Sequence, residues 1–523
     1  MDNPAFEDDH HFADKGNQTR RTLYTFDEAA ALCGTGKFHT FLFVVCGLCT
    51  LTLMTATLSV GFYIMFVKCD LEVSVYEQGL LASTAFIGIV VSSHTWGFLS
   101  DTWGRLKVIQ ISIFGSVILA LVSAFSYTTW MLILLRLLVG VFICGTQSSI
   151  FSYLGEFHSM KTKSQAVTYL SVFLSVALVF LPALAIGILP LEFDWMLYGK
   201  PFPSWRLLEI VYTIPGIIAS LGLPFLPESP KYLFTKSDHQ KAIDVLQYIY
   251  HVNTGNSREE YPAKGFSDSE KSRNLKEVNG IRSALLLVWK QTAPMFYRSR
   301  VFVTLNLLVH IFISYFAAHG VFMWFPEILN ALVKHIEADM TVCEIMRYEF
   351  DASTNATGVS SGNLGCASYV DIVTYQVMII MGALYTLVYF SAGYLVKAVE
   401  KKYLMMFWFL FAGVTAIPLI WVRGFYPIVV LFICFLVVGV CGGLVTTIAV
   451  DFYPTGISAM AVCLIMMIGR IGVVAGSNSV GIILNTNCEA IFYGLGSLSC
   501  AVVVLSFLLP TSLTKKEKVN NPS

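Results

Sequence analysis

Charge is what this chain has least of. Asp, Glu, Lys and Arg make up 13% of its 523 residues while 56% are hydrophobic, and the mean hydropathy is +0.68. A soluble domain cannot bury that much apolar surface, so a water-soluble globular protein is excluded. The 34 cations balance the 34 acids, which argues against a nucleic-acid partner and against general attraction to anionic surfaces. Strict alternation of apolar and polar residues is missing, and with it a transmembrane barrel. No phosphate-binding loop, zinc-ligand spacing or catalytic triad is apparent, so neither an enzyme nor a bound metal or cofactor is expected; Gly442-Gly443 lies inside an apolar run and reads as packing. A signal peptide is not expected either, because Asp8, Asp9 and Asp14 stand where a cationic region and an apolar core belong.

What the chain does have is apolar runs long enough to cross about 30 Å of hydrocarbon. Bounded by charges and turn residues, they fall at about 41–67, 79–100, 106–125, 130–153, 166–189 and 207–226, then at 301–332, 372–396, 403–422, 428–450, 457–484 and 490–509. Backbone groups in lipid must be paired internally, so these runs are predicted to be twelve helices. The polar stretch 227–300 divides them into six-helix halves at 39–226 and 301–510, with tails at 1–38 and 511–523. Within the divider, Ser237 precedes a segment of helical apolar spacing, which predicts a serine-capped amphipathic helix.

Lys and Arg alternate from loop to loop. Arg105 with Lys107, Lys161 with Lys163, the cations from Lys231 to Arg300, Lys397 with Lys401 and Lys402, and Lys515 with Lys516 and Lys518 fall on one side. That bias places both termini in the cytoplasm. The longest outward loop, 333–371, is flanked by Cys343 and Cys366, the expected disulfide on the oxidising side, where Cys69 and Cys488 also lie. It holds Asn355-Ala-Thr357, a glycosylation acceptor, whereas Asn17-Gln-Thr19 lies on the side where sugar is not added.

Gly97-Phe-Leu-Ser-Asp101-Thr-Trp-Gly104-Arg105-Leu-Lys107 closes the second run with an acid, a turn glycine and a basic pair. This pattern resembles the loop between helices two and three of the major facilitator superfamily. Arg136-Leu-Leu-Val-Gly140 with Ser152-Tyr-Leu-Gly-Glu156-Phe157 resembles helix four, Ser204-Trp205-Arg206 the start of helix six, and Pro227-Glu228-Ser-Pro230-Lys231-Tyr232 the helix-six exit. The segment from Tyr315 through Trp324-Phe-Pro326-Glu327 and the motif Asp451-Phe-Tyr-Pro454 resemble the synaptic vesicle glycoprotein 2-like and organic ion transporter branch. The resemblance implies an all-α fold of twelve membrane helices in two pseudo-symmetric halves. It also implies a secondary transporter of small organic solutes working by alternating access. Two alternatives stay open: a non-transporting regulator or receptor of vesicle traffic, and a sugar porter. Either a plasma membrane or an intracellular vesicle membrane fits.

An internal repeat is visible without the resemblance. Gly97-Phe-Leu-Ser and Gly393-Tyr-Leu-Val recur about 296 positions apart, and Glu156-Phe157 and Asp451-Phe452 about 295 apart. Carriers built from related halves bind substrate near the midplane between them. At the cytoplasmic end, Gly104 permits a tight reversal, Asp101 is positioned to accept from amides at a helix start, and Arg105 to reach a carboxylate. The expectation is a gate of Gly97, Asp101, Gly104, Arg105, Glu156, Glu228 and Asp451 whose charges latch the halves in the outward-facing state. Arg136 is expected to couple it to the cavity.

Ionisable groups inside a membrane are functional candidates by default. Arg470, in Gly469-Arg470-Ile-Gly472, resembles the helix-eleven arginine of organic ion transporters and suggests an anionic group in the cavity. Tyr315, His319, Trp324, Tyr385 and Asn478 complete the candidate cavity. His94 and His310 read as hydrogen-bonded structural groups rather than proton carriers. The first run offers Thr50, Thr52, Thr55, Thr57 and Ser59 but no acid. Asn3-Pro4-Ala5-Phe6 resembles an endocytic sorting signal, which would make trafficking adaptors partners of the tail.

Overall fold

The computed structural model describes residues 23–193, 195–267, 292–298, 300–356, 370–396, 398–453 and 455–509. Twelve of its helices are long and apolar enough to cross a bilayer: Lys37–Leu71, Val75–Trp103, Arg105–Ser123, Thr129–Glu156, Gln165–Ile188 and Ser204–Phe225 (spans 1–6), then Val301–Lys334, Ile372–Ala392, Lys401–Ile420, Phe425–Phe452, Met460–Leu484 and Cys488–Phe507 (spans 7–12). Their ends follow from local chemistry. Ser74 and Glu77 form a capping box at the start of span 2, the Thr128 hydroxyl caps span 4, and Asp371 caps span 8. Pro182 and Pro326 sit inside spans 5 and 7, where neighbouring helices satisfy the freed backbone.

One core lies within the first half and its linker, and a larger one, centred on the second half, runs across the seam to Tyr63, Leu81 and Trp205 of the first. Spans 3 and 4 lie along one another and span 2 lies along span 4; in the second half, span 7 lies along span 11 and span 9 along span 12. Glycines allow the closest approaches: a Cβ at Gly140 would strike the backbone of Ala85, and one at Gly476 the backbone of Phe316 and Gly320. Between the halves, span 2 meets span 11 and span 5 meets span 8.

Side-chain bonds across that seam gather at the outward ends of the helices. Asn478 donates to the Ser83 hydroxyl at 3.0 Å, Tyr375 to the Phe62 carbonyl at 2.9 Å, and Gln78 to Glu327 at 2.5 Å, with Lys68 3.5 Å from the same carboxylate. Toward the cytoplasm, nothing lies within 4 Å of a Cβ built on Gly97, and Cys463 of span 11 is exposed. The halves are thus tied together at the outward ends, and span 11 carries an exposed thiol toward its other end.

Three local expectations need correcting. Ser237 does not cap the linker helix: it adopts φ 64°, and the helix His239–Thr254 starts two residues later behind Asp238, which ion-pairs with Lys241 at 2.5 Å. The outward loop contains a helix, Val342–Ala356, fastened by an Arg423–Glu344 ion pair of 3.3 Å. And Cys343 is bonded to Cys488, not to Cys366, because that helix packs against the start of span 12. Cys69 is disulfide-bonded as well. Cys366, Asn17, Asn3 to Phe6 and the Thr357 of the glycosylation acceptor lie outside the described residues, as does the Asn355 side chain.

The cytoplasmic tail and linker are built together. Leu23–Tyr24 pairs in parallel with Gly265–Phe266, and Phe26, Phe234 and Phe266 pack ring against ring at 4.8–6.1 Å. Asn253 of the linker helix donates to the Cys33 carbonyl at 3.0 Å and accepts from the Phe38 amide at 3.1 Å.

Candidate functional site

The hinge between spans 2 and 3 turns on Gly104, whose φ of 107° favours glycine. The carboxylate at this helix start is Glu228, not Asp101. Its Oε1 accepts from the amides of Arg105 and Leu106 at 3.0 and 3.1 Å, satisfying orphan donors where the helix dipole is positive. Asp101 lies one turn back on span 2 and reaches the Arg105 guanidinium at 3.0 Å. The same guanidinium is 3.4 Å from Glu156, donates to the Ser100 carbonyl at 2.8 Å and lies over the Tyr232 ring. Tyr232 in turn donates to the Thr102 carbonyl at 2.7 Å. Gly104, Asp101, Arg105, Glu156 and Glu228 therefore form one cluster, tied to the linker.

Asp451 has a partner in the second half. It is bound by Lys401 at 2.6 Å. The repeat explains why: Arg105 to Lys401 and Glu156 to Asp451 share the offset read from the sequence, so Lys401–Asp451 is the second copy of the Arg105–Glu156 pair.

Deep in the first half lies a buried pair that sequence reasoning missed in part. Arg136 and Glu209 are both at most 2% exposed and are ion-paired, with Tyr63 accepting from the same guanidinium. Ala56 offers a carbonyl at 3.5 Å, and Tyr63 stacks on Trp205 at 5.7 Å. Glu209 borders a small cavity whose other polar walls are Thr52, Thr55, Ser59, Ser116, Tyr212 and Thr213. The signal for Glu209 was an acid five residues past the Ser204-Trp205-Arg206 start. It falls inside the sixth apolar run as read, 207–226, where it was not singled out among the ionisable groups of the spans. A second pair sits nearer the outward end, where Arg206 meets Asp70 at 2.9 Å and donates to the carbonyls of Ala124 and Ser126.

In the second half, Tyr315, His319 and Arg470 come together. Tyr315 and His319 meet edge to face at 4.8 Å, and the Tyr315 ring lies over Gly442 and Gly469, where a Cβ would collide. The Tyr385 and Tyr389 rings meet at a tilt with centroids 5.1 Å apart, and the Tyr385 hydroxyl crowds Gly439. Arg470 is 9% exposed, and among the described residues the ionisable groups that act on it are Cys144 of span 4, Tyr315 and Cys463, two thiols and a phenol. Two expected members lie elsewhere. Trp324 is packed between spans 7 and 11 with its indole donating to the Ser477 carbonyl at 2.7 Å, and Asn478 belongs to the outward seam. His310 is held between the Asn306 carbonyl and Ser506 at 2.7 Å each, a structural role.

A profile of the Major Facilitator Superfamily matches residues 44–477. The chain belongs to this superfamily. Among curated proteins it is similar to synaptic vesicle glycoprotein 2C of Rattus norvegicus, at 26% identity over 325 residues, covering 59% of this chain and 44% of that protein. It is similar in like degree to synaptic vesicle glycoprotein 2A of Homo sapiens, at 26% identity over 58% of this chain and 43% of that one. The matched segment thus spans under half the length of these relatives. Among solved structures, the inward open conformation of the xylose transporter XylE from E. coli aligns over 91% of this chain and 97% of that one, with TM-score 0.65 and 12% identity. An inward-facing bacterial homologue of the lysosomal transporter Spinster aligns over 91% and 96%, with TM-score 0.57 and 13% identity. At such identities the likeness is one of fold.

Proposed function

We infer that this protein is a secondary transporter that moves a small organic solute bearing an anionic group, by alternating access between its two halves. The observation that carries the reading is Arg470, a guanidinium deep in a membrane helix whose ionisable neighbours are thiols and a phenol. A cation so placed is costly unless an anion neutralises it, and with Cys144 of the other half among its neighbours it sits where the two halves face one another. Tyr315, His319 and Tyr385 supply aromatic surface for the solute's apolar part. The Arg105 cluster and its copy at Lys401–Asp451 serve as the cytoplasmic latch, regrouping across the halves when the cleft closes.

A second reading starts from the curated relatives, whose names place them on synaptic vesicles: a vesicle-membrane protein that acts as a regulator or receptor without moving a solute. A sugar porter has less support, since an unneutralised arginine does not suit a neutral solute. Both readings meet the same test, thermal-shift measurement of the purified protein against small organic anions, organic cations and sugars. An anion at about a hundred times its Kd stabilises the wild type by about 2.7 kcal/mol. Arg470→Ala abolishes that shift and Arg470→Lys keeps part of it. Stabilisation by a sugar that survives Arg470→Ala refutes the anion reading.

A further inference from the structure

The outward closure is built around one carboxylate. Glu327 of span 7 accepts from the Gln78 amide at 2.5 Å and stands 3.5 Å from the Lys68 ammonium, both donors belonging to the other half. This ion pair joins the halves. The other rungs of the seam, Asn478 to Ser83, Tyr375 to the Phe62 carbonyl, and the Phe62 and Phe322 rings at 6.4 Å, are neutral. Gln78 is 2% exposed and its carbonyl oxygen has no partner, so its amide depends on Glu327 for what pairing it has. Neighbouring backbone leaves little slack: Gly79 packs on Asn478, and Gly61 lies against the Met323 carbonyl one turn before Glu327.

We propose that Glu327 is the outward gate residue of the transport cycle, the group whose release from Lys68 and Gln78 sets the balance between inward-open and outward-open states. When the outward ends part, water solvates all three groups. Removing the carboxylate therefore penalises only the closed arrangement, in which a buried amide is stranded, and a perturbation felt by one state alone shifts the equilibrium. Glu327 is a positioning residue, since it touches no solute.

The inference rests on the alternating-access reading, and its test needs no solute, so failure to find a cargo leaves it intact. In membrane vesicles, a membrane-impermeant maleimide reaches Cys463 from the cytoplasmic face, and the modified peptide is identified by mass. Glu327→Ala shifts the inward-to-outward ratio about tenfold. Labelling at Cys463 then slows by about twofold if the wild type rests about ten to one inward, and by about fivefold if the two states are balanced. Glu327→Gln keeps an oxygen for Gln78 but loses Lys68, and slows labelling less; it serves if Glu327→Ala does not fold. Lys68→Glu also slows labelling, and the exchange Lys68→Glu with Glu327→Lys restores it. A merely structural role predicts no such rescue. Wild-type labelling rates in Glu327→Ala and Glu327→Gln, or an exchange no faster than its single variants, overturn the proposal.

Discussion

Removing the Glu209 carboxylate should cost this protein more than removing any exposed charge. Arg136 is fully buried, and Glu209 is the acid that neutralises it. In Glu209→Ala the guanidinium keeps only the Tyr63 oxygen and a carbonyl at 3.5 Å. A buried charge stripped of its counter-ion costs about 3–5 kcal/mol, whereas replacing both partners with apolar residues of similar volume is close to neutral. The expected order of thermal midpoints is therefore wild type near Arg136→Met with Glu209→Leu, and both well above Glu209→Ala. Unfolding of membrane bundles is often irreversible, so the ranking of midpoints in detergent, followed by fluorescence-detected size exclusion at one heating rate, is the proper readout. A Glu209→Ala protein that melts with the wild type, or a double variant that melts below it, refutes the account of this pair.

Gly104→Ala forces a side chain to φ 107° and drives its Cβ into the Glu228 carboxylate; a loss of about 1–3 kcal/mol is expected, read as a lower midpoint and faster proteolysis of the linker. Cys343→Ser and Cys488→Ser should lower the midpoint equally, by about 2–4 kcal/mol, and non-reducing peptide mapping should recover the two segments joined; a peptide joining Cys343 to Cys366 would contradict the pairing. Burial holds the His158 imidazole below its usual value of 6.5, so the unfolded chain takes up a proton more readily than the folded one. The stability carried by the neutral ring is present above about pH 6.5 and lost as the pH falls below it. His158→Gln should flatten that acid limb of the midpoint-versus-pH curve, and an unchanged limb argues against it.

The twelve spans were legible because their signal is long and collective: some twenty apolar residues outvote any single exception. Helix ends set by a cap, as at Ser74 and Thr128, moved by only a few residues. What the sequence hid was pairing. Asp101 and Glu228 are both acids near the hinge, and only the return of the chain after span 6 shows that Glu228 reaches the amides first. Cys343 had three outward candidates, Cys366 close in sequence, Cys69, and Cys488 at a separation of 145, and packing of the outward helix chose Cys488. Trp324 and Tyr315 stand on the same helix, but nine residues of helical rotation separate them and turn one into the bundle core. Lys401–Asp451 could have been anticipated, since the repeat offset carries Arg105 and Glu156 onto those two positions.

The most direct test of a carrier built around Arg470 is counterflow of radiolabelled small organic anions in proteoliposomes of the purified protein. The account predicts saturable, transient accumulation of at least one anion in the wild type and its loss in Arg470→Ala at equal incorporation. Counterflow no greater than in protein-free liposomes for every anion tested, or equal counterflow in Arg470→Ala, would contradict it.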